Sequence, residues 1–425
     1  MKNNSFTLGI IGAGTVGGGV ISLITQQKQF FSATMGIDLV IKTVCEKTIN
    51  KNRNYIYDDS IIYTTHIDDI LNDDTIDCIL ELIGGVTIAK HIVFESIKRG
   101  KHIITANKAL IAEHLLEIEE LLSKNPSVKF GFEASVCGGV PVIQLLKGSF
   151  LSDNIKQVSG IMNGTTNYIL SKMESEGCDY SAVLKEAQDL GYAEMNPSAD
   201  IDGHDVRSKI VILAKLAFGT FVPIDEVPMI GISRITADDF SYAKLLNCSI
   251  KMLGVSKITN NNSLCIYVSP AMIPLSSTIS TISGAKNIVE ITSDSMVKSS
   301  FIGEGAGRFP TANSVLSDIL EIACNRASSQ AFPKNTTLTI DNDFSSCFYI
   351  RITVKDDFDI KQKIEELCEN NLISIQKIYL TPNTIALLTD FSTLSVINKL
   401  VLELKGEDFC TDNTFFMPVK EKPKN

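Results

Sequence analysis

The sequence predicts an α/β protein that ends in a smaller α+β module, and three observations carry that reading. A short apolar run, Thr7 to Ile11, passes directly into GAGTVG and then into a stretch with helical apolar spacing. Strand and helix patterns then alternate to about residue 130. Beyond residue 345 the pattern changes to strand, helix, two strands, helix, strand. The 425 residues suffice for two or three domains, and 44% of them are hydrophobic, enough to fill sizeable cores. A net charge of −10 argues against general nucleic-acid binding. No apolar run approaches the ~18 residues that would span a bilayer. The N-terminus lacks the pattern of a signal peptide, so a cytoplasmic location is expected. Ten cysteines without CxxC spacing suit reduced, mostly buried thiols, and five histidines with no Cys/His cluster speak against zinc.

In the first turn, Gly12, Gly14 and Gly17 fit G-x-G-x-x-G, and Ala13, Thr15 and Val16 complete it. Gly12 allows the sharp turn, Gly14 the close approach of a pyrophosphate, and Gly17 tight helix–strand packing. The following helix N-terminus offers N–H groups and partial positive charge. A Rossmann-type dinucleotide-binding domain is therefore expected over residues 1–132, completed by a helix at 310–330. A second strand, Asp38 to Val44, ends at Glu46, a candidate for the ribose 2′-hydroxyl of NAD. Lys47 or Arg53 could instead meet the 2′-phosphate of NADP, so both cofactors stay open. Asp77 to Leu82 reads as a buried strand, and a helix over about 88–98 buries Ile92, Val93 and Ile97. Lys101 to Thr105 reads as a further strand, and ANKAL opens the next helix. Ligands of such sheets lie at the strand ends, which places Gly84, Gly85, Thr105, Asn107 and Lys108 toward the cofactor.

Val128 to Ala134 is read as a strand leading into SVCGGVPVI, with Pro141 at the first helical position. Exposed carbonyls of that loop could hold a monovalent cation. A strand at Ile155 to Ile161 precedes NGTTNYIL, where Asn163, Gly164 and Thr165 form a polar turn at a helix start. A helix at Ser181 to Leu190 delivers the chain to GYAEMNPSADIDGHDVRSK, residues 191–209. Asp202 or Gly203 can cap the helix that follows, which puts Asp205 and Lys209 four residues apart on one face, with Ile212 and Leu213 buried beside them. Taken alone, the pair reads as an exposed salt bridge worth roughly 0.3–0.5 kcal/mol. Next to a nucleotide site it reads as a proton-transfer pair. A loop with Gly303, Gly305 and Gly307 then precedes an amphipathic helix carrying Val315, Leu316, Ile319, Leu320 and Ile322.

The stretches GAGTVG, ELIGG, TANKAL, NGTTNYIL, GYAEMNPSADIDGHDVRSK and GEGAGRFPTANSVLSD resemble the homoserine dehydrogenase family in order, over about residues 6–330. The resemblance implies NAD(P)-dependent exchange between L-homoserine and aspartate 4-semialdehyde, in threonine, methionine and isoleucine biosynthesis. By motif, it implies Lys209, Asp205 and Lys108 as catalytic residues, with either lysine as proton donor. It implies Glu194, Asp200 and Thr165 at the substrate, and Gly12, Ala13, Gly14, Thr15, Val16, Gly17, Gly84, Thr105, Lys108, Gly303 and Gly305 at the cofactor. Carbonyls of Glu133, Val136, Gly138 and Val140 would bind a monovalent cation, Na+. Asn196 stands where the family usually has aspartate, and a structural substitution is expected there. Residues 133–309 would form the α+β catalytic and dimerisation domain.

The βαββαβ order over residues 345–420 is ferredoxin-like and resembles an ACT module, a regulatory or oligomerisation element for which threonine would be the effector. Its first loop departs from the family's D-x-P-G, with Asp356, Asp357, Phe358 and Asp359. A homo-dimer or homo-tetramer is expected. The alternatives are another NAD(P)-linked semialdehyde oxidoreductase, or an inactive amino-acid sensor. The latter predicts loss of Lys108, Lys209 or Asp205, and all three are present.

Overall fold

The first apolar run becomes β1 (Asn4–Ile11), whose Leu8, Ile10 and Ile11 are buried. In this computed structural model the described residues are 4–49, 55, 58–328, 330–354, 360–381, 383–411 and 413–420. Arg53, the loop Asp356, Asp357, Phe358 and Asp359, and the turn at Pro382 lie outside them. The chain forms two compact units.

The first unit comprises Met1–Lys156, Ser208–Ile224 and Ile291–Thr337. Its sheet contains β1, β2 (Ile37–Cys45), β3 (Ile62–Thr64), β4 (Cys78–Glu81), β5 (His102–Thr105) and β6 (Phe130–Gly131) in the order β3-β2-β1-β4-β5-β6. Every pairing is parallel. That order reverses direction between β1 and β4, where dinucleotide folds bind their ligand. The short β3 has no counterpart in the sequence reading; three residues are too few for a period to show. Helices Thr15–Met35, Thr87–Lys98 and Lys108–Lys124 connect the strands. Helix Arg308–Ala323, ending before residue 330, packs Ala312, Val315, Leu316, Ile319 and Ile322 into the same core as Leu8, Ile10, Val20 and Ile24.

Two local expectations are corrected. The strand read at Val128 to Ala134 is only Phe130–Gly131, because Glu133–Ser135 turns into a 3-10 helix that the carboxylate of Glu133 ties forward. Pro141 precedes the helix Val142–Lys147 rather than opening it.

The second unit comprises Gln157–Arg207, Asp225–Glu290 and Leu338–Asn425. Its strands include β7 (Ile155–Ile161), β8 (Cys248–Ile258), β9 (Leu264–Pro274) and β10 (Lys286–Ser293), whereas β11 (Val297–Glu304) belongs to the first unit. Gly303 thus lies in a strand, and only Gly305 and Gly307 lie in the loop. The C-terminal strands are β12 (Ser345–Thr353), β13 (Ile375–Thr381), β14 (Thr384–Thr389), β15 (Ser392–Thr393) and β16 (Phe415–Val419). The path β7-β8-β9-β16-β12-β14-β13 is mixed: β9 and β16 run parallel and the other neighbours antiparallel. Helices Ile360–Asn370 and Leu394–Lys405 cover the C-terminal strands, burying Ile364, Ile397, Leu400 and Leu404 against Phe348, Ile350 and Ile385.

Among the described residues no helix is long and apolar enough to cross a membrane. Eight of the ten cysteines are buried and all ten are free thiols.

Candidate active site

The glycine turn sits at the C-terminal end of β1. Gly12 adopts φ +98°, and a Cβ there would lie 2.7 Å from the carbonyl oxygen of Leu82. A Cβ on Gly17 would lie 2.0 Å from the Gly12 carbonyl oxygen, so only glycine lets the helix approach the turn. Gly14 is the opposite case, with nothing within 4 Å of a Cβ. The helix behind it has no side-chain cap, which leaves its first N–H groups available to an anion. These residues fit a dinucleotide pyrophosphate.

Across the sheet's reversal a cleft of 290 Å³ is lined by Val16, Glu81, Gly84, Gly85, Asn107 and Lys108. Glu81, fully buried, accepts hydrogen bonds from Thr105 Oγ1 at 2.5 Å and from the Ile83 N–H at 3.0 Å. Burial pushes its carboxyl above the usual range. Asn107 caps the helix that begins at Lys108 by accepting from the Leu110 N–H, and its amide donates to the Gly85 carbonyl at 2.5 Å. The loops after β4 and β5 are thus tied together beneath Lys108. Glu81 escaped the sequence reading because a carboxylate inside DCILEL looks like a strand-end residue.

At the end of β2, Glu46 is only 7% exposed and accepts the Tyr55 phenol at 2.5 Å. This carboxylate, read as the ribose acceptor, is therefore engaged by a side chain nine residues on. Lys47 is exposed.

In the second unit, Asn163 caps helix Gly164–Glu176 by accepting from the Thr166 N–H. Its amide donates to Asp200 Oδ1 at 2.7 Å and to Asp205 Oδ2 at 3.0 Å. One buried amide thus gathers two of the expected carboxylates. The sequence marked Asn163 only as a turn residue. Thr165 donates to the Tyr192 carbonyl at 2.7 Å, which anchors the stretch just before Glu194, itself exposed. Asn196 accepts from the Ser198 N–H and hydroxyl, so it supports a turn, as expected of the substitution.

Helix His204–Phe218 carries Asp205 and Lys209 one turn apart. They are 8% and 7% exposed, which overturns their reading as a surface salt bridge. Ile212 and Leu213 are fully buried, as their spacing requires.

The loop after β6 is held at several points within the first unit. Asp318 accepts the Glu133 N–H, the carboxylate of Glu133 accepts the Ile143 and Gln144 N–H groups, and Ser314 donates to the Gly138 carbonyl. Burial and the neighbouring Asp318 push Glu133 up to about 8, and burial pushes Asp318 up to about 7. Cys137 and Gly138 adopt positive φ, and the Gly139 N–H donates to the Glu304 carbonyl. Within the loop the Glu133 carbonyl accepts the Val136 N–H and the Val140 carbonyl accepts the Val142 N–H. Among the described residues no group of three or more His, Cys, Asp or Glu could hold a metal ion.

Comparison with known proteins decides the family. Residues 12–130 match the homoserine dehydrogenase NAD binding domain, and residues 141–320 match homoserine dehydrogenase. The chain is 34% identical over 374 residues to homoserine dehydrogenase of Helicobacter pylori, covering 87% of each chain.

The chain belongs to the homoserine dehydrogenase family. It is an NAD(P)-dependent oxidoreductase that interconverts L-homoserine and L-aspartate 4-semialdehyde. The homoserine dehydrogenase of Neisseria gonorrhoeae is 36% identical over 381 residues, covering 87% of this chain and 86% of that one. The crystal structure of a homoserine dehydrogenase from Thiobacillus denitrificans superposes with a TM-score of 0.92 at 30% identity, covering 98% and 99% of the two chains. Within this family the close approach at Gly17 has a measurable consequence. Gly17→Ala raises the Kd for NAD(P)H by about tenfold or more in a fluorescence titration, because the added methyl forces the turn open at a cost of about 1–3 kcal/mol.

Proposed function

We propose that Lys209 delivers the proton in semialdehyde reduction, with Lys108 assisting or sharing that role. The bound nicotinamide supplies the hydride. The observation that carries the reading is the burial of Asp205 and Lys209 one turn apart on helix His204–Phe218. A lysine ammonium removed from water stabilises a developing alkoxide more strongly than one in solvent, and it can donate the proton. Asp205, held by Asn163, fixes the charge of that helix turn. Glu194 and Asp200 receive the substrate ammonium, with Thr165 beside them ordering the stretch just before Glu194. Gly12, Ala13, Gly14, Thr15, Val16, Gly17, Gly84, Thr105, Gly303 and Gly305 form the cofactor's bed, and NADP and NAD both remain as partners. Carbonyls of Glu133, Val136, Gly138 and Val140 hold a monovalent cation such as Na+.

Residues 1–132, completed by the helix within 310–330, make up the nucleotide domain, and residues 133–309 the substrate and dimerisation domain. Residues 345–420 form an ACT-like module, supported by the β16-β12-β14-β13 order within a βαββαβ run. The assembly is a homo-dimer or homo-tetramer in the cytoplasm, and threonine is the candidate effector. The substrate assignment is tested by steady-state kinetics. Asp200→Asn and Glu194→Gln each raise KM for the semialdehyde by about tenfold or more, since a charged hydrogen bond contributes about 1.5–3 kcal/mol. Unchanged KM in both would contradict it.

A further inference from the structure

Strand β4 runs Cys78, Ile79, Leu80 and then Glu81, and all four are fully buried. A strand that only filled the core would end on a fourth apolar residue, because a buried carboxyl costs free energy unless donors meet it. Here three uncharged donors do. The Ile83 and Gly84 N–H groups come from the loop after β4, and the Thr105 hydroxyl comes from the end of β5. In the sheet Glu81 pairs with Ile11 on one side and with Thr105 on the other. It therefore stands at the ends of three neighbouring strands, and its partner Ile11 leads directly into Gly12. The bonds continue past it. Thr105 Oγ1 also accepts the Asn107 N–H at 3.0 Å, and the Asn107 amide donates to the Gly85 carbonyl. Glu81, Thr105, Asn107 and Gly85 thus close a circuit between the two loops that line the 290 Å³ cleft with Lys108. Gly84 and Gly85 hold φ of +74° and +72°, two left-handed residues in succession, and the Gly84 N–H bound by Glu81 pins that turn.

We propose that Glu81 is a positioning residue for hydride transfer. It holds the Gly84–Gly85 turn and the helix start at Lys108 in one arrangement, against which the nicotinamide is set. The inference rests on the proposed placing of the cofactor and of Lys108 at this cleft. Being fully buried, Glu81 acts through its partners rather than on the reactants. A carboxylate suits the task because both of its oxygens only accept, so the bonds run one way, from the Asn107 N–H to Thr105 and from Thr105 to Glu81. Glutamine in its place offers one accepting oxygen and one donating nitrogen. If that oxygen keeps the Ile83 and Gly84 N–H groups, the nitrogen meets the Thr105 hydroxyl, which must turn its proton away. A shift of about 1 Å between reacting groups costs about 10²-fold in rate, so a modest loosening here has a large effect.

The test is single-turnover hydride transfer in stopped flow, with the full chain premixed with NADPH or NADH and then mixed with aspartate 4-semialdehyde. Glu81→Gln and Thr105→Val each slow the transfer by about tenfold or more. Thr105→Ser, which keeps the hydroxyl, stays near the wild-type rate. The Kd for reduced cofactor, read by fluorescence, moves far less than the rate. The double variant Glu81→Gln, Thr105→Val is no slower than the slower single one, because both break the same link. Thr105→Val and Thr105→Ser carry the same test if Glu81→Gln does not fold. Wild-type transfer in folded Glu81→Gln and Thr105→Val overturns the proposal. So does a Thr105→Ser as slow as Thr105→Val, or losses that multiply in the double variant, since either marks general damage to the sheet end. Lys108→Ala reads the placing of the site separately. Slow transfer there alone removes the role of Glu81 and leaves the placing intact, whereas wild-type transfer in all three variants removes both.

Discussion

Replacing Lys209 by alanine lowers kcat for semialdehyde reduction by about 10²–10⁴-fold, the usual contribution of a positioned proton donor. KM for the semialdehyde changes little, because the loss falls on the transition state rather than on binding. Lys209→Arg keeps the charge but not the compact ammonium, and it recovers only part of the rate. A control lies on the same helix. Lys215 is also buried, but its ammonium pairs with Glu119 at 3.1 Å and donates to the Gly219 carbonyl. Lys215→Met therefore costs stability and leaves kcat near wild type. If both variants lost rate equally, the effect of Lys209 would be that of a damaged helix, and the proton-donor role would fall.

Arg351→Ala destabilises the second unit by about 3–5 kcal/mol, read as a shift of the urea midpoint. Arg351 is 2% exposed and Asp239 is fully buried. The guanidinium donates to Asp239 and to Thr236 Oγ1 at 2.6 Å, and the same carboxylate accepts the Tyr349 phenol at 2.8 Å. Truncating the arginine strands a carboxylate that burial already drives upward in pKa. Lysine cannot replace it, since its single ammonium lacks the planar fork that reaches Asp239, Thr236 and the Arg234 carbonyl together. A loss below about 1 kcal/mol, typical of an exposed pair, would contradict this account.

The sequence made the nucleotide fold legible because its signals are local. A glycine turn next to an apolar run reports a strand end, and the helix capped by Asn107 has its cap in the adjacent residue. The C-terminal module was legible for the same reason, as alternating strands and helices follow one another without insertion. What the sequence hid was whatever depends on distant pairing. Glu81 and Thr105 meet only when β4 and β5 align. Asn163 reaches Asp200 and Asp205 across about forty residues. The strand at Val128 to Ala134 was overread because VKFGFEA alternates, whereas the competing interaction, the Glu133 N–H bound to Asp318, lies 185 residues away. Burial of Asp205 and Lys209 was likewise undecidable from an i,i+4 spacing, which serves surface and core alike.

The central claim is hydride exchange between a nicotinamide cofactor and aspartate 4-semialdehyde. The most direct test follows NADPH and NADH oxidation at 340 nm with aspartate 4-semialdehyde and the purified chain, and identifies the product by chromatography. The account predicts turnover with at least one cofactor and L-homoserine as the product. No oxidation of either cofactor by an intact, folded chain would contradict it.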